Sequence, residues 1–314
     1  MSKPDRIFRQ IFQFGSTDLT HWFPSHMAKG MKKMMATLKK VDLVVEVHDA
    51  RIPIAGRNTI LKELMGVRPS LLVLNKMDLA DLDKTKMIID NLREERENKQ
   101  MMFCECLTQH SRSAKKVMPK IVEIIESSER YNRDEEVEYS ILCTGIPNVG
   151  KSSLINAMRR LHLKKGRGTS TAPTPGVTRS VLHKIKVNER PTIWLYDTPG
   201  VLTPQIQHPD IGMKLAVCGT IPDHRVGIDI ICDYLLYILN KQEIHKYVEY
   251  FELDSPTDDI MQVLFHIADK QKKTILLKTY DGSVVRRPDM FRAADMMLRA
   301  FRKGELGRVT LDDA

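Results

Sequence analysis

The sequence lacks several features that mark particular protein classes. Its 314 residues contain no apolar run near the ~20 residues that a transmembrane helix needs, so no membrane-spanning helix is predicted. The five cysteines form no C-x₂-C pair, which disfavours a zinc site and a disulfide framework. The sequence therefore predicts reduced thiols in a reducing compartment.

Acidic residues are scarce in the first two thirds of the chain. Residues 1–204 carry 34 Lys/Arg against 23 Asp/Glu, whereas residues 205–314 carry 15 against 17. Residues 29–40 contain five lysines and no acid, and residues 157–190 contain nine basic residues with Glu189 as the one acid. Positive charge of this density favours a polyanionic partner, either nucleic acid or an anionic membrane surface, over an ordinary solvated face.

Residues 145–153 match the phosphate-loop pattern G-x-x-x-x-G-K-[ST] with the sequence GIPNVGKSS. A strand-like run at 139–144 precedes the match and a helical run at 154–161 follows it, as the pattern requires. Backbone N–H groups of such a loop point at an anion, and the helix N-terminus adds positive charge. The pattern predicts Lys151 on the β- and γ-phosphates and the Ser152 hydroxyl on Mg²⁺. The predicted phosphate-binding residues are Pro147, Asn148, Val149, Gly150, Lys151, Ser152 and Ser153.

The segment Asn75-Lys76-Met77-Asp78 follows an apolar run and predicts selectivity for guanine. The Asp78 carboxylate accepts from both N1–H and the 2-amino group of guanine, and adenine has no matching donors. An unpaired buried polar group costs ~1–3 kcal/mol, so this loop rejects ATP. The Lys76 stem would cover the base plane, and Asn75 would tie the loop to neighbouring backbone.

A further loop is expected to flank the base. It follows the apolar run at residues 101–107, and backbone near Cys106 and Leu107 is predicted to contact the guanine oxygen.

The segment DTPG at residues 197–200 ends another strand-like run and is predicted to contact Mg²⁺ and the γ-phosphate. Asp197 would hold a Mg²⁺-bound water, and the Gly200 N–H would bond the γ-phosphate. A threonine from the preceding loop would complete the metal shell. We prefer Thr178 to Thr174 because Thr178 lies nearer the next strand.

These motifs stand in an unusual order. In ordinary GTPases the phosphate loop comes before the guanine loop, whereas here it comes about 70 residues after it, so the set is complete but circularly permuted. Strand-like runs alternating with helical segments predict an α/β fold, a P-loop GTPase domain with an about six-stranded, mostly parallel sheet. Helical segments alone follow, which predicts a smaller all-α C-terminal domain. The expected boundaries are 23–204 and 205–314, joined through the γ-phosphate-sensing loop.

Residues 1–22 form a short, basic, amphipathic stretch with Asp5 and Asp18 as the acids. This composition fits an organellar transit peptide and equally an ordered N-terminal arm, and the sequence does not decide between them.

Four features of the chain can be taken together: the segment from Trp22 to Lys29, the segment from Asp49 to Pro53, the permuted motif order and the helical C-terminal region. In these features the chain resembles the ribosome biogenesis GTPase A family, and most closely its mitochondrial members. The resemblance covers nearly the whole chain. It implies a GTPase with slow intrinsic turnover, stimulated by ribosomal particles, that helps to mature the large ribosomal subunit. It also implies rRNA contact, GTP/GDP and Mg²⁺ as ligands, a monomeric state, and a mitochondrial matrix location with peripheral contact to the inner membrane.

The catalytic apparatus departs from that of many GTPases. Val201 follows DTPG where many GTPases place a glutamine, and an apolar side chain cannot orient the attacking water. The resemblance assigns this role to His26, and Lys151 of the phosphate loop is the second predicted catalytic residue. A structural role for His26 at a helix start is the alternative, and Ser25 stands where the family usually has glycine. Asn148 matches GTPases that bind K⁺ beside the phosphates, where the cation neutralises transition-state charge.

Three functional hypotheses follow. The first is a GTP-dependent assembly factor that binds rRNA through the two basic stretches. The second is a regulatory GTPase at an anionic membrane surface, which the absence of a lipidation cysteine near the final Asp-Asp-Ala disfavours. The third is a nucleolar relative of the same permuted group, although such proteins usually carry long basic extensions.

Overall fold

The computed structural model describes residues 8–14, 32, 34–57, 68–93, 100–106, 111–130, 133, 135–163, 183–198, 206, 208–278, 280 and 283–313. These residues form two compact units. The first comprises the described residues between 32 and 206 together with 312–313, and the second comprises residues 8–14 together with 208–311.

The first unit is built on a six-stranded sheet. Its strands are β1 (Leu43–Asp49), β2 (Ser70–Asn75), β3 (Gln100–Phe103), β4 (Tyr139–Thr144), β5 (His183–Asn188) and β6 (Ile193–Asp197). Their order across the sheet is β3-β2-β1-β4-β6-β5. Neighbours are parallel except for the β5–β6 pair, which is antiparallel. The predicted six-stranded, mostly parallel sheet is therefore confirmed.

The central strands are mostly apolar and almost fully buried, as expected for strands covered on both faces. In β1 every residue is buried, and β2 and β4 are buried after their first residue. Helices α1 (Leu82–Arg93), α2 (Arg112–Glu126) and α3 (Lys151–His162) belong to the same unit. The Ser111 hydroxyl starts α2 by accepting from the Ala114 N–H, and an apolar face of that helix is buried.

The sheet order places the predicted motifs at one edge. Because β1, β2, β4 and β6 are parallel, their carboxyl ends lie at the same edge of the sheet. The strands that follow β1 in sequence, β2 and β3, lie on one side of it, whereas those that follow β4, β5 and β6, lie on the other side, so the strand order reverses between β1 and β4. This is the topological switch point where open α/β sheets bind ligands. The guanine-loop and phosphate-loop segments therefore share one edge although they are far apart in sequence.

The second unit is mainly helical. Its helices are α4 (Pro209–Val217), α5 (Asp223–Val226), α6 (Ile228–Lys241), α7 (Lys246–Phe251), α8 (Ile260–Lys270) and α9 (Met290–Lys303). An antiparallel hairpin of β7 (Thr274–Lys278) and β8 (Val284–Pro288) lies between α8 and α9. The prediction of an all-α unit is wrong in this respect. The five-residue sequences TILLK of β7 and VVRRP of β8 do not alternate apolar and polar residues, so neither carries the pattern that predicts a strand.

Residues 8–14 belong to this helical unit. The buried Phe12 ring lies 5.1 Å from the Tyr234 ring and 5.7 Å from that of Tyr237. The Arg9 guanidinium pairs with Asp233 at 2.7 Å and with Asp258 at 3.1 Å. This part of the stretch predicted as a transit peptide or an arm is thus packed against α6.

Among the described helices, none combines the length and the apolarity needed to cross a bilayer.

Candidate functional site

The loop between β4 and α3 passes close to two neighbouring strands. A Cβ at Gly150 would lie 2.2 Å from the Asn75 Nδ2, and Gly150 itself has φ +94°, which favours glycine. A Cβ at Gly145 would lie 2.2 Å from the Val47 carbonyl oxygen. A side chain at either fixed glycine of the phosphate-loop pattern would therefore collide with neighbouring atoms. It would also stand where an anion is expected to approach the backbone.

Lys151 opens α3 and folds back over this loop. Its Nζ donates to the carbonyl oxygens of Gly145 at 3.0 Å and Ile146 at 2.9 Å. Burial lowers the pKa of Lys151, and the Asp197 carboxylate opposes that effect. The ammonium group is thus held within the loop that the sequence assigns to the phosphates. Ser152 and Ser153 lie exposed on the same first turn.

The guanine loop is bonded directly to the phosphate loop. The Asn75 Nδ2 donates to the Val149 carbonyl at 2.8 Å, and the Lys76 Nζ donates to the Asn148 carbonyl at 2.7 Å. Lys76 and Asn148 both have left-handed backbone, with φ of 60° and 62°. The structure therefore brings these two predicted binding segments together.

Asp78 tests whether a guanine base fits this loop. Its Oδ1 is buried and has no hydrogen-bond partner among the residues that the structure describes. A buried acceptor left unpaired is costly, whereas the two N–H donors on one edge of guanine would satisfy it. The orphaned oxygen therefore fits the predicted base contact.

A buried carboxylate behind the guanine loop was missed by sequence reasoning. The Asp49 Oδ2 accepts from the Arg51 Nη2 at 2.8 Å and from the Lys76 Nζ at 2.9 Å, and its Oδ1 accepts from the Arg51 Nε at 3.0 Å. Burial raises the pKa of Asp49, but the charges of Arg51 and Lys76 outweigh burial and hold that pKa well below its ordinary value. Asp49 is ionised and positions Lys76. An acidic residue at the end of a central strand was the available signal.

The loop that follows β1 is held by the end of the chain. The buried Asp312 carboxylate accepts from the backbone N–H of Ile54 at 2.6 Å and of Ala55 at 3.0 Å. No local pattern marks such a contact in the sequence, because the partners are more than 250 residues apart.

The base-flanking loop after β3 contacts the guanine loop through backbone. The Cys104 N–H donates to the Leu74 carbonyl at 2.8 Å, and the Met77 N–H donates to the Cys104 carbonyl at 3.1 Å. Cys106, the predicted backbone contact to the base, is buried two residues later. The segment that carries Cys106 is thus attached to the guanine loop through Cys104.

The predicted metal side lies at the end of β6. Asp197 is buried there, and the Thr198 hydroxyl donates to the Cys143 carbonyl of β4 at 2.8 Å, which fixes the start of the DTPG segment. The described residues contain no cluster of three or more His, Cys, Asp or Glu side chains that could bind a metal. A carboxylate and a serine hydroxyl fit Mg²⁺ bound largely through nucleotide phosphates and water. Asp197 and Ser152 are therefore a suitable donor set.

Four predicted site residues fall outside the described residues. They are His26, Leu107, Thr178 and Gly200, and their roles stay predictions.

Comparisons with known proteins decide the family. Residues 140–279 match the family model described as 50S ribosome-binding GTPase. The chain is 51% identical over 309 residues to mitochondrial ribosome-associated GTPase 1 of Ictalurus punctatus. This alignment covers 97% of the present chain and 96% of the relative. The chain belongs to this family. The resemblance seen in the motifs is thereby confirmed, and the protein is a GTPase that binds guanine nucleotide.

More distant relatives agree with this assignment. Ribosome biogenesis GTPase A of Bacillus cereus is 31% identical to this GTPase over 298 residues, 93% of each chain. The crystal structure of GNP-bound YlqF from T. maritima covers 91% of this chain and 100% of its own, with 22% identity and a TM-score of 0.55. At that identity the likeness shows the fold, and it agrees with the observed sheet. The circularly permuted GTPase fold is therefore confirmed.

Proposed function

We propose that this GTPase is a GTP-dependent assembly factor for the large subunit of the mitochondrial ribosome. The observation that carries the proposal is the direct bonding of Asn75 and Lys76 to the phosphate loop, in a chain related over 97% of its length to a mitochondrial ribosome-associated GTPase. The bacterial relative named ribosome biogenesis GTPase A supports a role in subunit maturation. The proposed location is the mitochondrial matrix, with peripheral contact to the inner membrane, and the proposed state is monomeric.

The proposed rRNA contact uses the two basic stretches. Exposed cations of the first stretch include Lys32, Lys39 and Lys40, and those of the second include Arg160, Lys184 and Arg190. Contacts of lysine and arginine with phosphates release counterions, so such binding weakens steeply as salt rises. Salt dependence is therefore a required property of the complex.

The nucleotide would be held from three sides. Asp78 would accept from the base, with backbone near Cys106 and Leu107 beside it. The phosphate loop, Lys151 and the Gly200 N–H would bind the phosphates. Ser152, Thr178 and Asp197 would hold Mg²⁺, which when bound neutralises charge on the phosphate oxygens. Asn148 is the proposed K⁺ ligand.

The attacking water must be oriented differently here than in GTPases that have a glutamine after the DTPG segment. Because Val201 offers no hydrogen-bonding side chain, we assign orientation of the attacking water to His26. The DTPG segment leads along the chain into the helical unit, so nucleotide state is proposed to reach that unit through residues 197–207.

Co-sedimentation tests the partner. The purified GTPase is mixed with mitochondrial large subunits in the presence of GDP or of a non-hydrolysable GTP analogue, at rising salt. We expect binding that prefers the GTP analogue, falls with salt and is weakened by Lys39→Glu/Lys40→Glu. The matched control, Lys115→Glu/Lys116→Glu, changes two adjacent exposed lysines of α2 outside both stretches. Binding to anionic vesicles with none to subunits would overturn the proposal.

Hydrolysis tests the chemistry. GTP turnover is measured with and without large subunits, in K⁺ and in Na⁺, for the parent and for His26→Ala. Removal of a water-positioning group costs on the order of 100-fold in stimulated turnover and leaves GDP affinity unchanged. Equal stimulation of the two proteins would assign His26 a structural role, and equal rates in K⁺ and Na⁺ would remove Asn148 as a cation ligand.

A further inference from the structure

Two cysteine thiols meet beneath the guanine loop. The Sγ atoms of Cys104 and Cys106 lie 3.5 Å apart, and both side chains are buried. The proposed phosphate and base chemistry uses neither thiol, because the base contact assigned to Cys106 is made by backbone. This dithiol therefore has no role in nucleotide binding that depends on sulfur.

The surroundings of the pair distinguish the two sulfurs. The hydrogen bond from the Cys106 thiol lowers the pKa of Cys104, burial opposes that effect, and the Ser113 hydroxyl lowers the pKa further. The same contact, together with burial, raises the pKa of Cys106. Ser113 lies in the first turn of α2, whose N-terminus favours a negative charge. The proton therefore stays on Cys106, and Cys104 is the more nucleophilic sulfur.

Two other thiols differ in this respect. Burial raises the pKa of Cys143 to about 12, and burial also raises the pKa of Cys232. The Cys232 Sγ donates to the Ala294 carbonyl at 3.3 Å, inside the helical unit. A thiolate is the reactive form of cysteine, so oxidation is expected at Cys104 before either of these.

We propose that Cys104 and Cys106 form a reversible oxidation site, at which hydrogen peroxide closes a disulfide that loosens the guanine loop. The Cys104 thiolate attacks one peroxide oxygen, the O–O bond breaks, and Cys104 becomes a sulfenic acid while the other oxygen leaves as water after protonation. The Cys106 thiol then attacks the Cys104 sulfur, the S–O bond breaks, and a second water leaves. Two thiols are oxidised by two electrons and one peroxide is reduced to two waters.

Closure of the disulfide must move the chain. A disulfide requires the sulfurs to approach to about 2.05 Å, so the backbone around Glu105 has to shift. The Cys104 carbonyl accepts from the Met77 N–H within the guanine loop, and the Glu105 N–H donates to the Ser113 hydroxyl at 3.0 Å. These hydrogen bonds are strained or lost in the oxidised form. The consequence for nucleotide rests on the proposed guanine-binding role of residues 75–78.

Mass spectrometry tests the bond. The full-length protein, loaded with a fluorescent GDP analogue, is treated with peroxide, alkylated and digested with trypsin. Residues 100–112 form one tryptic peptide that carries both thiols and no other cysteine. We expect this peptide to lose two hydrogens and to escape alkylation. In Cys106→Ser the reaction stops at the sulfenic acid, which dimedone traps on Cys104.

Nucleotide release tests the consequence. Oxidation is expected to raise the GDP dissociation rate about fivefold, the factor for one lost hydrogen bond, and dithiothreitol restores the original rate. The release rate of Cys104→Ser does not respond to peroxide, whereas Cys232→Ser responds like the parent. Full alkylation of residues 100–112 after peroxide, or a disulfide with unchanged release, would overturn the inference. Failure of the reduced protein to bind GDP at all would instead contradict the proposed function.

Discussion

The side-chain amide of Asn75 donates a 2.8 Å hydrogen bond to the backbone carbonyl of Val149, across 74 residues of sequence. The bond joins the end of β2 to the loop that follows β4, and β1 lies between these two strands in the sheet. The base-recognition segment and the phosphate segment are therefore positioned relative to each other by the protein itself. A site organised in this way loses less freedom when nucleotide binds.

Base selectivity depends on Asp78. In Asp78→Asn the side-chain amide repels the N–H groups of guanine but can donate to the 2-oxo group of xanthine. We expect affinity for GDP to fall by about 10- to 100-fold, as for one or two unpaired buried groups, and affinity for XDP to rise. Competition of GDP, XDP and ADP against a fluorescent GDP analogue measures this. An unchanged order of preference would show that Asp78 does not contact the base.

Gly150 is required because it contacts Asn75. Gly150→Ala adds a carbon 2.2 Å from the Asn75 Nδ2 and forces alanine to φ +94°, so both the backbone and the Asn75–Val149 bond are disturbed. We expect GDP affinity to fall by at least about tenfold, which corresponds to 1.4 kcal/mol. Isothermal titration calorimetry with GDP measures the loss.

The control for this change is Gly219→Ala in the helical unit. Gly219 has φ +74°, but an added carbon there meets the Arg302 side chain at 3.4 Å, an ordinary van der Waals distance. Gly219→Ala therefore has only the cost of placing alanine in left-handed backbone, about 1–2 kcal/mol of stability. Its GDP affinity is expected to stay at the parent value. Equal losses of affinity in the two variants would mean that contact with Asn75 is unimportant.

Asp49 stabilises the site in a pH-dependent way. Asp49→Asn leaves Arg51 and Lys76 without a buried anion, which costs about 3 kcal/mol at pH 7. Because the folded-state pKa of Asp49 is depressed, this stabilisation is complete above the ordinary aspartate pKa of about 3.9. It is lost as the pH falls further towards the folded-state pKa. The difference between parent and variant should therefore be largest at neutral pH and should shrink below about pH 4.

Urea unfolding followed by tryptophan fluorescence measures this difference, since Trp194 lies on β6 of the same unit. Asp83→Asn is the matched control, because the Asp83 carboxylate is exposed in the first turn of α1. We expect Asp83→Asn to cost about 1 kcal/mol or less at every pH, since an exposed acid in the first turn of a helix contributes little. A difference between parent and Asp49→Asn that persists unchanged at pH 3 would contradict the assignment of charge to Asp49.

Phe12 makes the N-terminal segment part of the helical unit. Phe12→Ala removes a ring that is 7% exposed and packs on Tyr234 and Tyr237, so we expect a loss of about 3 kcal/mol in the stability of α6. Phe14→Ala, in the same segment but 37% exposed, should cost about 1 kcal/mol or less. Hydrogen exchange of α6 amides measures both. Equal protection of α6 in both variants and the parent would leave residues 8–14 free to act as a removable segment.

Sequence reasoning succeeded where the signal was local. The two nucleotide-binding segments could be proposed because each motif is a few contiguous residues next to a strand, and the parallel sheet was predicted correctly because β1, β2 and β4 are mostly apolar. The β7–β8 hairpin was missed because its two paired five-residue sequences, TILLK and VVRRP, do not alternate apolar and polar residues. The packing of Phe12 was left undecided, because the same amphipathic composition fits both a transit peptide and an ordered arm.

By itself the sequence determined the type of ligand, the permuted order of the motifs and the α/β class, since each is encoded in short segments with fixed chemistry. The tertiary structure alone decided which groups meet. Asp49 with Lys76, Asp312 with Ile54 and Asn75 with Val149 are joined by strand order and chain reversal, which no window of neighbouring residues contains. Extended backbone places Cys104 and Cys106, two positions apart, on the same face, but only the structure shows that their sulfurs approach to 3.5 Å.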